Sequence, residues 1–224
     1  MEQRFRIGIL GAGAIGGTLG DLLAKIGHSV MLSSRHPDAI ASRTAGLGCR
    51  VGTINEASDF GDIVIAALPL RALGDISARA LASKVVVDTM NYYPERDGAI
   101  ADFDEHRTTT SQRVARHLDS SKLVKAFNAI LAYDLPYDQR PLVEGGRRAL
   151  PIAGDDAVAK ALVSGLHASL DFDVLDTGTL ADSWRFERAK PAYCIPLNIQ
   201  QLRSALTSAE RDKELPHGSW RRHR

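Results

Sequence analysis

Short, near-continuous apolar runs alternate along this chain with longer segments whose apolar residues recur every three or four positions. The runs fall at 5–10, 28–32, 62–68, 84–88 and 122–127, with a shorter one near 49–54. Ile63-Val64-Ile65-Ala66-Ala67-Leu68 and Val85-Val86-Val87 carry no polar alternation, which marks strands covered on both faces of a parallel sheet. Helical stretches lie between most of the runs; in the first, Leu19, Leu22, Leu23 and Ile26 form one apolar stripe. Turn residues at Gly46-Leu47-Gly48 and Gly61-Asp62 punctuate the pattern. Strand–helix alternation of this kind predicts an α/β fold, a doubly wound and mainly parallel sheet with right-handed crossovers.

Residues 98–110 break the rhythm. They are polar and read as a surface excursion that ends in the cap of a helix at about 111–118, with Asp102, Asp104 and His106 as solvated loop residues rather than metal ligands. Beyond 150 the alternation resumes. Pro151-Ile152-Ala153-Gly154 is a strand, Asp155-Asp156 caps a helix to about Ala168, and Phe172-Asp173-Val174-Leu175 is a second strand, giving an added C-terminal βαβ extension. From Leu180 to Thr207 a helical pattern is interrupted by Pro191 and Pro196. It predicts a helical tail in two pieces, the second carrying Ile195, Leu197, Ile199, Leu202 and Leu206. The expected organisation is one domain over 1–207, with a core of 1–150 and an extension of 151–207. A basic, flexible segment over 208–224 follows, ending in Arg221-Arg222-His223-Arg224.

Composition narrows the function classes. The 224 residues are 44% hydrophobic and 25% charged, with a formal charge of +1, so no excess of positive charge argues for nucleic acid or a membrane surface. No apolar run approaches the length of a membrane span, and the first strand follows Met1-Glu2-Gln3-Arg4 too closely for a signal peptide in front. Cys49 and Cys194 are too few for a disulfide framework and lack metal-ligand spacing. The expectation is a cytoplasmic protein.

The chemistry is concentrated in residues 4–35. The first apolar run leads into Gly11-Ala12-Gly13-Ala14-Ile15-Gly16, and a helix opens there before the second strand. In a Rossmann-type fold the first glycine of G-x-G-x-x-G makes the tight turn and the second admits a pyrophosphate to the backbone. The third lets the helix pack close to the strand, and the phosphates lie on the free N–H groups at the helix mouth. Gly11, Gly13, Ala14, Ile15 and Gly16 are therefore the expected dinucleotide-binding residues. The second strand ends in Ser33-Ser34-Arg35-His36, where an NAD protein usually has an acid for the ribose 2′-hydroxyl. Hydroxyls and a guanidinium there favour a 2′-phosphate instead. Ser33, Ser34 and Arg35 thus predict NADP.

Three later motifs fall at strand carboxyl ends, where open parallel sheets bind ligands. Leu68-Pro69-Leu70 offers a flat apolar wall for ribose and nicotinamide. Asn91 and Asn128 bring donors and acceptors suited to a carboxamide, although Asn91, just before Pro94, suits a turn equally well. Asp88 reads as a structural cap. No persuasive His–Asp, Ser–Lys or Tyr–Lys pair and no catalytic cysteine setting emerges; Tyr92 and Lys125 are the nearest to a donor system, and His106, His117 and His167 read as non-catalytic.

The order of Ile9-Leu10-Gly11-Ala12-Gly13-Ala14-Ile15-Gly16, Ser33-Ser34-Arg35, Ala67-Leu68-Pro69-Leu70, Val87-Asp88-Thr89-Met90-Asn91, Val124-Lys125-Ala126-Phe127-Asn128 and Ile152-Ala153-Gly154-Asp155-Asp156 resembles the NADPH-dependent reductases of coenzyme F420, a deazaflavin. It is also similar to the NADPH-binding domain of the STEAP metalloreductases, where a flavin takes the hydride. A lysine often found after the Ser–Arg pair in that family is absent, with Ala39 near its place. The resemblance implies a homodimer that passes hydride between NADP(H) and a small redox ring, coenzyme F420 or a flavin. Two other classes remain open on the residues alone: a reductase of a small imine or carbonyl, and a non-catalytic module that senses NADP(H).

Overall fold

The computed structural model describes residues 4–44, 48–137 and 145–220; Gly46-Leu47 and the terminal Arg221–Arg224 run lie outside it. The strands are β1 (Arg6–Leu10), β2 (Ser29–Ser33), β3 (Arg50–Gly52), β4 (Ile63–Ala66), β5 (Val85–Asp88), β6 (Lys122–Lys125), β7 (Ala149–Gly154) and β8 (Asp173–Asp176). The helices are α1 (Ala14–Lys25), α2 (Pro37–Thr44), α3 (Ile54–Phe60), α4 (Pro94–Asp97), α5 (Ala101–Asp104), α6 (Thr110–His117), α7 (Ala157–Ser169) and α8 (Ile199–Thr207). Tighter 3-10 turns occur at Leu70–Asp75, Arg79–Leu81 and Leu180–Phe186.

The sheet order is β3-β2-β1-β4-β5-β6-β7-β8. Pairing is parallel from β3 through β6, antiparallel between β6 and β7, and parallel again between β7 and β8. This is the Rossmann-type α/β fold that the alternation predicts, with β7, α7 and β8 as the added βαβ unit. The order reverses between β1 and β4, so a crevice forms over their carboxyl ends. Ile7, Ile9, Val30 and Ile65 pack on one face with Leu19, Leu23, Val163 and Leu166. Val64, Ala66 and Val86 pack on the other with Ala57 and Val114. Strands buried on both sides explain the unbroken apolar runs.

Several helix starts are fixed by side chains. Thr53 with Glu56 and Thr109 with Gln112 form reciprocal capping boxes, and Asp156 accepts from the Ala159 amide at 2.8 Å. The 98–110 excursion is more ordered than its polarity suggests, because Phe103 in α5 is buried. The 180–207 segment forms a 3-10 turn and α8, but α8 starts at Ile199, so Ile195 and Leu197 precede it. The cause is local: Asn198 caps the helix through the amides of Gln200 and Gln201.

The expected loose tail is corrected over 208–220. Lys190 donates to the main-chain carbonyls of Glu210, Arg211 and Lys213 at 3.0, 2.9 and 2.7 Å. The Leu215 amide donates to Ala189 at 2.8 Å, and Trp220 is buried edge-on to Tyr193. One ammonium with three carbonyls and one buried indole hold a stretch that composition alone marks as free.

His167 in α7 is fully buried. Its ring stacks on Phe127 at 3.8 Å and 3°, and Nδ1 lies 2.8 Å from the Val163 carbonyl, which fixes Nδ1 as the protonated nitrogen. Burial pushes its pKa down from 6.5 to about 4, the Val163 bond opposing only weakly. Between those values the unfolded chain takes a proton that the folded one refuses. Stability is therefore expected to fall as pH drops from 6.5 to 4, by roughly 3 kcal/mol from this group. Urea unfolding at a series of pH values tests it: His167→Leu should lack this component, and identical pH dependence in both proteins would refute it.

Candidate functional site

The glycine turn joins β1 to α1. Gly11 has φ +106°, and a Cβ there would stand 2.7 Å from the Ala67 carbonyl oxygen; a Cβ on Gly16 would stand 1.9 Å from the Gly11 oxygen. Both glycines are required by the fold itself. Gly13 differs. Its φ of −72° and ψ of −167° suit any residue, and a Cβ there would meet nothing within 4 Å. As N-cap of α1 it supplies no side-chain cap, and the first turn of the helix holds no acid. The first turn of α1, with the amides of Ala14 and Ile15, is thus left without a side-chain cap at the positive end of the helix.

At the end of β2 the expected trio divides. Ser33 is buried and its Oγ accepts from the Gly11 amide at 2.9 Å, so its hydroxyl braces the glycine turn rather than facing outward. Ser34 is half-buried with Oγ accepting from the His36 amide at 3.0 Å, and Arg35 and His36 are exposed. Arg35 is the cation at the outward end of this strand.

Three further loops meet on the same edge. After β4, Leu68 and Pro69 are half-buried, but Leu70 points into the core as the first residue of a 3-10 turn. The apolar wall is therefore Leu68-Pro69, without Leu70. After β5 and β6, Asp88 and Lys125 form a fully buried pair at 3.1 Å; Asp88 also takes the Ser111 hydroxyl at 2.6 Å and the Met90 amide at 2.8 Å, while Lys125 donates to the Met90 carbonyl. Asp88 is structural, as its strand-end position suggests. Lys125 and Tyr92 make no donor system, since the Tyr92 hydroxyl bonds to Asp104 and to the Ile100 amide.

The two asparagines face each other. Asn91 Nδ2 donates to the Asn128 carbonyl, and Asn128 Nδ2 donates to Asn91 Oδ1 and to the Phe186 carbonyl, each at 3.0 Å. Those acceptors fix the orientation of the Asn128 amide and leave its Oδ1 buried without a partner. Asn91 thus positions Asn128, and Asn128 carries the available acceptor. Its orphaned oxygen and the open space at Gly13 are what a bound dinucleotide with a carboxamide would satisfy, so the residues fit the group that the glycine motif implies.

Two groups escaped the sequence reading. Glu187 accepts from the Thr110 amide at 2.7 Å at the mouth of α6, and burial raises its carboxyl against the opposing pull of Lys125 and that amide. Tyr93 and Tyr193 share a hydrogen bond between hydroxyls 100 positions apart, a separation no local pattern signals. Among the described residues, no group of three or more His, Cys, Asp or Glu is placed to hold a metal, and no helix is long and apolar enough to cross a membrane.

Residues 6–92 match the family described as NADP oxidoreductase, coenzyme F420-dependent. Over 200 residues the chain is 30% identical to metalloreductase STEAP3 of Rattus norvegicus, covering 85% of this chain and 38% of that protein's length. Among solved structures, a candidate F420-dependent NADP-reductase of Arthrobacter sp. FB24 is 25% identical with a TM-score of 0.67, over 80% of this chain and 87% of that one. The hypothetical protein SMa0349 of Sinorhizobium meliloti is 28% identical with a TM-score of 0.73, over 88% and 96%. An imine reductase of Pseudomonas sp., 15% identical with a TM-score of 0.58 over 79% and 56%, shares the fold. The chain is thus a Rossmann-type protein similar to metalloreductase STEAP3 over about two fifths of that protein's length, and its residues 6–92 match the coenzyme F420-dependent NADP oxidoreductase family.

Proposed function

We propose that this protein binds NADP(H) along the carboxyl edge of β1, β2, β4 and β5 and passes hydride between it and a small redox ring, a deazaflavin such as coenzyme F420 or a flavin. The observation that carries the reading is Gly13: among the described residues no contact calls for a glycine there, and a ligand's close approach would. The nicotinamide supplies the hydride chemistry when bound. The protein's share is geometry. The amides of Ala14 and Ile15 bind the pyrophosphate against the α1 dipole, Arg35 with Ser34 selects the 2′-phosphate, Leu68-Pro69 keeps water off the reacting edge, and Asn128 Oδ1 accepts from the carboxamide. Such a transfer needs no nucleophile, which agrees with the want of one in the sequence. The family resemblance extends the proposal to a cytoplasmic homodimer, which light scattering of purified protein tests for assembly.

Mixing the protein with NADPH and following nicotinamide absorbance separates the classes. Oxidation by a deazaflavin or flavin supports the proposal, oxidation only by a small imine or carbonyl replaces it, and binding with no oxidation makes the protein a sensor. Arg35→Ala is expected to weaken NADPH roughly 10- to 100-fold while leaving NADH binding nearly unchanged, in keeping with the loss of a charge-assisted contact. Equal losses would mean that the guanidinium does not meet the extra phosphate. Gly13→Val should abolish binding of both nucleotides at an unchanged melting temperature, since its Cβ meets only open space. Retained binding would put the nucleotide elsewhere.

A further inference from the structure

A cavity of about 600 Å³ opens on the carboxyl edge, lined by Tyr93, Glu95, Arg96, Leu131, Tyr193, His217 and Trp220. It adjoins the asparagine pair directly. Tyr93 lies two residues beyond Asn91 and Leu131 three beyond Asn128, and Arg96 holds the Asn91 carbonyl at 2.8 Å. Resting on the hydride-transfer reading above, we propose that this cavity seats the acceptor ring and that Tyr93 donates the proton that the ring takes up with the hydride.

The tyrosine–tyrosine bond is compatible with this role. Tyr193 is buried and burial drives its hydroxyl strongly toward the protonated form. Its other neighbour is the Cys194 thiol, a weaker acceptor than the Tyr93 hydroxyl. Either hydroxyl can donate in this bond; in the arrangement the proposal uses, the buried Tyr193 donates and the half-buried Tyr93 hydroxyl keeps its own proton for the cavity. Two cations sit against the Tyr93 ring: the guanidinium carbon of Arg96 is 4.7 Å and that of Arg188 5.1 Å from its centroid. Arg96 is paired with Asp97 at 2.8 Å, and Arg188 with Glu95 at 3.0 Å and His217 Nδ1 at 2.9 Å, so both are fixed in place. The negative charge left on Tyr93 after donation faces these guanidinium groups and the Tyr193 hydroxyl.

The step balances. Hydride leaves NADPH with both electrons and forms a C–H bond at the acceptor's electron-poor ring carbon. The ring's conjugated electron pair shifts to a nitrogen, and that nitrogen takes the Tyr93 Oη proton. Solvent at the cavity mouth returns a proton to Tyr93, so NADPH, ring and one proton give NADP and the reduced ring.

The test uses 5-deazariboflavin as probe with wild type, Tyr93→Phe and Tyr193→Phe. For Tyr93→Phe, affinity for NADPH, read by fluorescence, should stay within twofold, which also reports an intact fold. Binding of the probe to cofactor-free protein should weaken by roughly 2- to 10-fold for one lost hydrogen bond. Turnover with NADPH should fall about 100-fold or more, as for loss of a general acid. Tyr193→Phe should lie between that variant and wild type. Unchanged probe binding and turnover in Tyr93→Phe would overturn the proposal while leaving the hydride-transfer reading intact. Wild type that binds NADPH but not the probe overturns the cavity assignment, and wild type that does not bind NADPH overturns the reading beneath it.

Discussion

The mouth of α1 has no side-chain cap, and the carboxyl edge of the sheet is built around that opening. Four other helix starts are satisfied by side chains: Thr53, Thr109, Asp156 and Asn198 all turn back onto amides. At α1 the cap is a glycine, and the helix mouth is instead braced from outside. The Gly11 carbonyl approaches Gly16 too closely for any Cβ, and Ser33 holds the Gly11 amide from the neighbouring strand. The uncapped amides are aimed by β1 and β2 together, so their position is as rigid as the centre of the sheet.

A second constraint sets the other half of the edge. Taking an ammonium and a carboxylate wholly out of water carries a desolvation cost that their attraction repays only when the remaining donors and acceptors are also matched. The Asp88–Lys125 pair meets that condition through Ser111, the Met90 amide and the Met90 carbonyl. The matched contacts tie the ends of β5 and β6 to the loop that follows β5. Asn91 and Tyr93 leave that anchored loop, Asn91 toward Asn128 and Tyr93 toward the cavity, so the buried ion pair positions both without touching a ligand.

What the sequence made legible follows from the range of each interaction. Strand runs, the helix caps and the glycine turn depend on residues within a few positions, and their periods and residue types state them. Ser33 was legible as a polar strand end, but its bond to Gly11 crosses 22 positions and only the register of β1 with β2 reveals it. The asparagine pair spans 37 positions, and it divides labour between two residues that look equivalent in sequence. The segment after 207 is the clearest case. Its polarity is real, but the contacts holding it come from Lys190 and Tyr193 on another part of the chain, and polarity carries no information about them.

The reversed strand explains why that segment reaches the site at all. Because β7 runs antiparallel to β6, with Val124 opposite Gly154 and Lys125 opposite Ala153, β7 starts beyond the carboxyl end of β6, alongside residues 126–129. Chain packed on β7 is thereby brought to the edge where a parallel seventh strand would have placed only its own terminal loop. The Phe186 carbonyl then reaches Asn128, the Cys194 amide reaches the Ala129 carbonyl at 3.1 Å, and Tyr193 meets Tyr93. The imine reductase chain that shares this fold is longer, this chain covering 56% of it. Here a strand reversal and the stretch from 186 to 220 build the outer wall of the cavity from the same compact unit. The wall is fastened by main-chain carbonyls on a single lysine, an arrangement that asks little of the residues between 208 and 214, which explains their freedom to be polar.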